Sequence, residues 1–261
     1  MLAPIAVLVA IYVLRFRTAR EEEHGRGAGP AQAAAFAAGI AALLLAVASP
    51  LDRLGEDHLF SAHMLQHVLL GDIAPLLLLL SLTRVMLRPA TRRLLRVKRA
   101  LGPLAHPLTG LVLWLGLMYL WHLPALYEAA VENPLLHLLE HVSFFTAGVA
   151  LWWPLVQPIP MRRGLTGMWP IAYIATAKAG LAALGLYLTW SSNILYPYYE
   201  TTPRIWGLSP VEDQNIGGVI MMAEQSLTLG LVLVALFARM LTRSEADERR
   251  REQLEEEPAR T

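Results

Sequence analysis

This 261-residue sequence predicts an all-α fold: a polytopic integral membrane helix bundle of seven transmembrane helices, N-terminus outside and C-terminus cytoplasmic. Three observations lead there. Hydrophobic residues make up 55% of the chain and charged residues only 16%, whereas a soluble domain carries about 25% charged residues. The apolar residues gather in runs near the ~20 needed to cross a bilayer. Arginine and lysine collect in alternate connections between those runs, which gives one consistent orientation under the positive-inside rule.

The runs are 1–16, 31–49, 59–82, 107–126, 135–157, 168–190 and 213–240. The first is short, but it lacks a basic leader and a small-residue cleavage site, so it reads as a span rather than a signal peptide. The second is Ala-rich. The third carries His63, Met64, His67 and Asp72, with Pro75 removing the helical hydrogen bond to Gly71. A kink there is expected to open room beside Asp72. The fourth ends at His122, the fifth carries His137, Glu140 and His141, and the sixth carries Lys178. The seventh opens on "VEDQNIGGVIMMAEQ", where Gly217 and Gly218 permit close helix approach.

Arg15, Arg17, Arg20 and Arg26 follow the first run. Arg84, Arg88, Arg92, Arg93, Arg96, Lys98 and Arg99 follow the third, Arg162 and Arg163 the fifth, and Arg243 the seventh. The facing loops, 50–58, 127–134 and 191–212, are poor in both residue types. Trp121 and Trp190 mark outer ends, and Trp152, Trp153 and Trp169 mark inner ends. Residues 1–243 therefore read as the transmembrane domain, and 244–261 as a charged cytoplasmic tail that is a solvated helix or disordered. The bilayer is the expected surrounding, and no nucleic-acid partner is expected.

The chain has no cysteine, which excludes disulfides, thiolate metal sites and cysteine nucleophiles. Soft-metal chemistry would have to use His and Met. Six of the eight histidines (His58, His63, His67, His122, His137 and His141) fall near the outer surface in this topology, on three helices. His63/His67 and His137/His141 are i,i+4 pairs, so each pair shares a helical face and can chelate one metal at ~2.0–2.1 Å. Imidazole suits copper, zinc or iron, and a thioether such as Met64 favours Cu(I). One HxxxH pair alone is more often a wetted anchor or an interhelical hydrogen bonder. Two pairs plus His122 on one side favour a metal or haem. His58 reads as a loop residue outside the site. Asp213, near the outer end of the last span, reads either as the cap of its own helix or as a group that orients a ligating imidazole.

Asp72, Lys178 and Glu224 all fall near mid-membrane, where a charge must pair or line a wet cavity. Lys178 is expected to pair with Glu224 or Asp72. The set reads equally as a packing device or as a proton or ion element.

"SAHMLQHVLLGDIAPLLLL", "YLWHLPALY", "LEHVSFFTAGVALWWP" and "EDQNIGGVIMM" together resemble the CtaG family of bacterial assembly factors for caa-type cytochrome c oxidases. The resemblance covers about residues 30–240. It implies a multi-span plasma-membrane protein needed to make active haem–copper oxidase, with oxidase subunits and a copper-donating protein as partners. Copper supply is the activity it implies, and an assembly factor or metallochaperone rather than an enzyme. The residues it marks are His63, Met64, His67, His122, Glu140, His141, Asp213 and Gln214; Glu140, Asp213 and Gln214 are expected as supporting groups around the ligands. One departure is Met222, where the family commonly has an aromatic. Two other readings compete. A haem protein would clamp its iron between histidines of different helices. A zinc-dependent intramembrane hydrolase would need HExxH, but residue 64 is Met and Glu140 directly precedes His141.

Overall fold

The computed structural model describes residues 2–159 and 164–256. Among them the secondary structure is helical throughout. The order is α1 (Leu2–Glu22), α2 (Pro30–Ala48), α3 (Pro50–Asp57), α4 (Phe60–Val68), a π turn (Leu69–Ile73) and α5 (Ala74–Leu80). Then come α6 (Arg84–Leu101), a 3-10 turn (Gly102–Ala105), α7 (Pro107–Trp121), α8 (Pro124–Glu132) and α9 (Pro134–Val156). α10 (Trp169–Trp190), α11 (Tyr198–Thr201) and α12 (Pro210–Glu256) complete the chain. Proline opens α2, α3, α7, α8 and α9, because its fixed φ suits the first helical position and its missing N–H costs nothing there.

Six helices are long and apolar enough to cross a membrane: α1, α2, the α4–π–α5 unit over Phe60–Leu80, α9, α10 and α12. The expected fourth span falls short. α7 has 15 residues, about 22 Å at 1.5 Å per residue, because His122 and Leu123 break the helix before Pro124 starts α8. It makes a seventh span only together with α6 and its 3-10 turn, from which it bends by 70°. The basic segment read from sequence as a loop is therefore the helix α6, and two of the facing connections read as loops contain the short helices α3 and α8. The helix of the last span continues to Glu256, so the charged tail up to there takes the helical one of its two readings. Arg162, Arg163 and the final residues 257–261 lie outside the described residues.

The α4–π–α5 unit is the hub: α2, α9 and α12 all pack on it, and α10 packs on α12. Pro75 cannot donate to Gly71. The helix absorbs this as the π turn, and the freed Gly71 carbonyl accepts from Trp114 Nε1 at 3.4 Å. Close contact with α9 follows. A Cβ on Gly148 of α9 would meet the Gly71 carbonyl carbon at 2.9 Å and Pro75 Cγ at 2.8 Å. On the other side, a Cβ on Gly218 would sit 2.5 Å from the Gly185 carbonyl oxygen, so α12 and α10 meet backbone to backbone. Two tryptophans read as interfacial anchors are interior instead: Trp152 bonds to Asp72, and Trp121 to Ser143 Oγ at 2.8 Å. Trp169 and Trp190 remain exposed.

Gly148→Ala is expected to destabilise the protein by about 1–3 kcal/mol, the usual cost of overpacking. Gly116→Ala, with nothing within 4 Å of the added carbon, is the matched control. Thermal unfolding of both purified variants checks this, and equal midpoints would contradict it.

Candidate metal centre

α4 brings His63 and His67 to the hub. Its N-terminus is capped from another helix: Asp213 of α12 accepts Phe60 N at 2.6 Å and Ser61 N at 3.1 Å, and also the Ser61 hydroxyl. A carboxylate there satisfies orphan amides and complements the helix macrodipole. The sequence reading placed Asp213 on its own helix end or beside an imidazole; it caps its neighbour instead. Gln214 holds the connection between α10 and α11, accepting from Leu195 N at 2.8 Å and donating to Asn193 O at 3.2 Å. Among the described residues neither Asp213 nor Gln214 bonds an imidazole.

α9 brings His137, Glu140 and His141 to face α4. Asn133 caps it, accepting from Leu135 N at 2.9 Å and Leu136 N at 3.3 Å. The i,i+4 geometry puts His63 Nε2 and His67 Nε2 2.7 Å apart, and the His137 and His141 ring centres 4.1 Å apart. Glu140 closes the group, with its oxygens 3.4 Å from His67 Nε2 and 3.9 Å from His63 Nε2. Donor atoms of His63, His67 and His141 all lie within 4.8 Å of one another, and so do those of His63, His137 and Glu140. All five residues are buried, and Glu140 is 0% exposed. Both Glu140 oxygens, His67 Nδ1, His137 Nε2 and His141 Nε2 lack a hydrogen-bond partner.

His122 stands beside this group rather than in it. Its Nδ1 is 2.6 Å from the Met118 carbonyl. A carbonyl only accepts, so Nδ1 carries the proton and Nε2 presents a lone pair. That lone pair faces Met64 Sδ at 3.3 Å, and the ring centre is 5.8 Å from that of His67. Met64 is fully buried.

A second layer orients the imidazoles, and most of it escaped the sequence reading. Glu56 of α3 lies 2.7 Å from His137 Nδ1. Tyr199 of α11 donates to the Gly55 carbonyl at 2.7 Å and lies 3.4 Å from His63 Nδ1 and 2.9 Å from the Tyr127 hydroxyl. Burial pushes both phenols well above their usual range, so they remain O–H donors. Tyr196 donates to the His122 carbonyl at 2.9 Å. These groups come from the short helices α3, α8 and α11 and the residues before α11, where nothing periodic distinguishes them. Tyr127 lies within the quoted "YLWHLPALY" but without a role.

The deeper charges form a separate cluster. Lys178 donates to Asp72 and lies 3.5 Å from Glu224 Oε1. Trp152 Nε1 donates to the other Asp72 oxygen at 2.7 Å. Gln225 and Thr228 donate to Glu224. The Lys178 ammonium also lies 5.1 Å from the Trp152 ring and 5.5 Å from the Trp114 ring, within cation–π range. Between the two depths lies a void of about 10 Å³ lined by Met64, His67, His122, Asp72 and Gln225, the space of about one water.

Comparison with known proteins gives one family and a few relatives. The model of the family described as cytochrome c oxidase caa3 assembly factor matches residues 10–243. An uncharacterized protein of Mycobacterium leprae is 26% identical over 226 residues, covering 78% of this chain and 33% of the relative. Uncharacterized proteins of Mycobacterium bovis and Mycobacterium tuberculosis are each 28% identical over 217 residues, covering 77% of this chain and 33% of theirs. The chain thus spans about a third of the length of these curated relatives. No solved structure matches.

Lys178→Met strands the buried Asp72 carboxylate and is expected to cost about 3–5 kcal/mol. The double variant Asp72→Asn/Lys178→Met should regain part of that loss, because no uncompensated charge faces Trp152. Unfolding midpoints of the two variants check it; a double variant no more stable than the single one would contradict a direct pair.

Proposed function

The chain belongs to the cytochrome c oxidase caa3 assembly factor family, and from that premise we propose that it binds copper as cargo at the histidine cluster and supplies it to the oxidase. The observation that carries this reading is the set of five buried donors between α4 and α9, four of which carry an atom with no hydrogen-bond partner among the described residues. A buried carboxylate without a hydrogen bond is costly unless something positive sits beside it. Four imidazoles and one carboxylate are a donor set that binds a divalent transition ion. Copper is favoured over zinc by the neighbouring His122–Met64 contact, in which an imidazole lone pair meets a thioether. Two acceptors at that distance have no proton to share, and a soft cation such as Cu(I) satisfies both.

The proposed setting is the bacterial plasma membrane, with the cluster on the outer side, the N-terminus outside and the C-terminus cytoplasmic. The partners are oxidase subunits and a copper-donating protein. Delivery requires a site that can open. The elements over the cluster suit this: α3 and α11 are short and are tied to it through Glu56, Gly55 and Tyr199. Such outer partners fix imidazole tautomers and raise ligand basicity.

Purified protein loaded with copper should lose bound metal in His63→Ala/His67→Ala, with incorporation into the oxidase failing in cells that carry the variant. Tyr199→Phe and Glu56→Gln should weaken copper binding by about 10–100-fold while leaving the ligands in place. Unchanged copper stoichiometry in the double-histidine variant contradicts the assignment, as does a Soret band in the protein as purified.

A further inference from the structure

At the end of α7 and α9 opposite the histidines, the chain builds a different surface. α6 is an 18-residue helix with six arginines and no acidic residue. One strip of it, Leu94, Leu95, Val97 and Leu101, is apolar and faces a cleft of about 250 Å³ closed on the other side by Gly110, Ala150, Trp153, Pro154 and Ile159. Among the described residues His106 is the one titratable side chain on the wall. The 70° bend after the 3-10 turn holds the cleft open, since it swings α6 away from the axis of α7. Val97 and Leu101 are each nearly half exposed, and Leu104 is 65% exposed.

The arginines are not spread evenly in their use. Arg88 pairs with Glu22 and Glu23 of α1. Arg92, Arg93, Arg96 and Arg99 are exposed and have no ion pair among the described residues. At ~100° per residue, Arg93 falls next to Val97 at one edge of the apolar strip, and Arg99 next to Leu95 at the other. A positive-inside bias needs basic residues somewhere in a connection, but it does not require a formed helix that lays an apolar strip over a cleft with guanidinium groups along its edges.

We propose that this cleft is a binding site for an anionic phospholipid, with an acyl chain lying against Leu94, Leu101 and Trp153 and the phosphate held at the edges of the strip, by Arg93 on one side or Arg99 on the other. The occupant follows from the two halves of the site. The wall offers almost no polar group, so it takes hydrocarbon, each buried CH₂ contributing favourably. The rim offers unpaired guanidiniums, which bind phosphate oxygens bidentately. A zwitterionic lipid offers its phosphate beside a cationic ammonium that the arginines repel, and a free phosphate uses only the rim. The site is independent of the copper reading and of the residues that carry it.

Native mass spectrometry of the full chain in detergent tests the proposal, with phosphatidylglycerol and phosphatidylcholine of identical acyl chains added at equal concentration. The wild type should retain phosphatidylglycerol at least about ten-fold better, given the attraction expected per basic residue near an anionic headgroup. Arg93→Glu/Arg99→Glu should abolish the preference. Ala105→Trp, which fills the cleft and leaves the arginines, should reduce retention of both lipids. The thermal unfolding midpoint of each variant, compared with that of the wild type, reports that the bundle is intact. Equal retention of the two lipids by the wild type overturns the proposal. So does a preference that survives both variants, or a second copy of the chain retained on this face in place of lipid.

Discussion

Glu140 is the constraint around which the upper half of this bundle is organised. A carboxylate at 0% exposure, in the interior of an apolar helix bundle, cannot be left to itself; the effective penalty for burying one such charge is several kcal/mol. Its near neighbours are imidazoles, several of which present a nitrogen with no hydrogen-bond partner among the described residues, so carboxylate and imidazoles alike call for something to share. A shared cation meets both demands at once. The elements around Glu140 make the same point from outside. Asp213 caps α4 and Asn133 caps α9, so the two helices that carry the donors are fixed at their ends. The tyrosines and Glu56 then fix individual rings.

The two polar depths differ in a way that separates their roles. The lower cluster is self-sufficient: Lys178 has two carboxylates, and Asp72 and Glu224 each take donors from neutral side chains. Such a network rigidifies packing without needing a ligand. The upper cluster is the reverse, rich in acceptors and short of donors. The void between them touches His67 and His122 above and Asp72 and Gln225 below. Gln225 Oε1 is itself unpartnered, so the two depths are separated by a gap of about one water rather than by packed hydrocarbon.

Much of this was legible in the sequence, for physical reasons. The His63/His67 and His137/His141 pairs follow from helix geometry alone, because residues four apart must share a face. The starts of the long helices α7 and α9 were readable to within a residue, at Pro107 and Pro134, whereas Pro50 and Pro124 open short helices that the reading did not see. What could not be read depends on distance in sequence. Asp213 caps a helix more than 150 residues away, and Glu56 reaches a histidine on α9 from a loop helix with no periodic signature. Charge density alone made α6 look like a loop, although its leucines are spaced for a helix with one apolar face. The same helix, through its bend into α7, is why the count of spans stands at six, or seven if the bent pair is one. Trp152 was misplaced because an indole at the end of a hydrophobic run looks the same whether it faces a headgroup or, as here, Asp72.

X-ray absorption spectroscopy of the copper-loaded protein tests the central claim most directly, because it reads the atoms around the metal. The cluster predicts a nitrogen- and oxygen-dominated shell at about 2.0 Å with the outer scattering pattern of several imidazoles, lost in the His63→Ala/His67→Ala variant. A shell without imidazole scattering, or one unchanged when those two histidines are removed, would contradict the account.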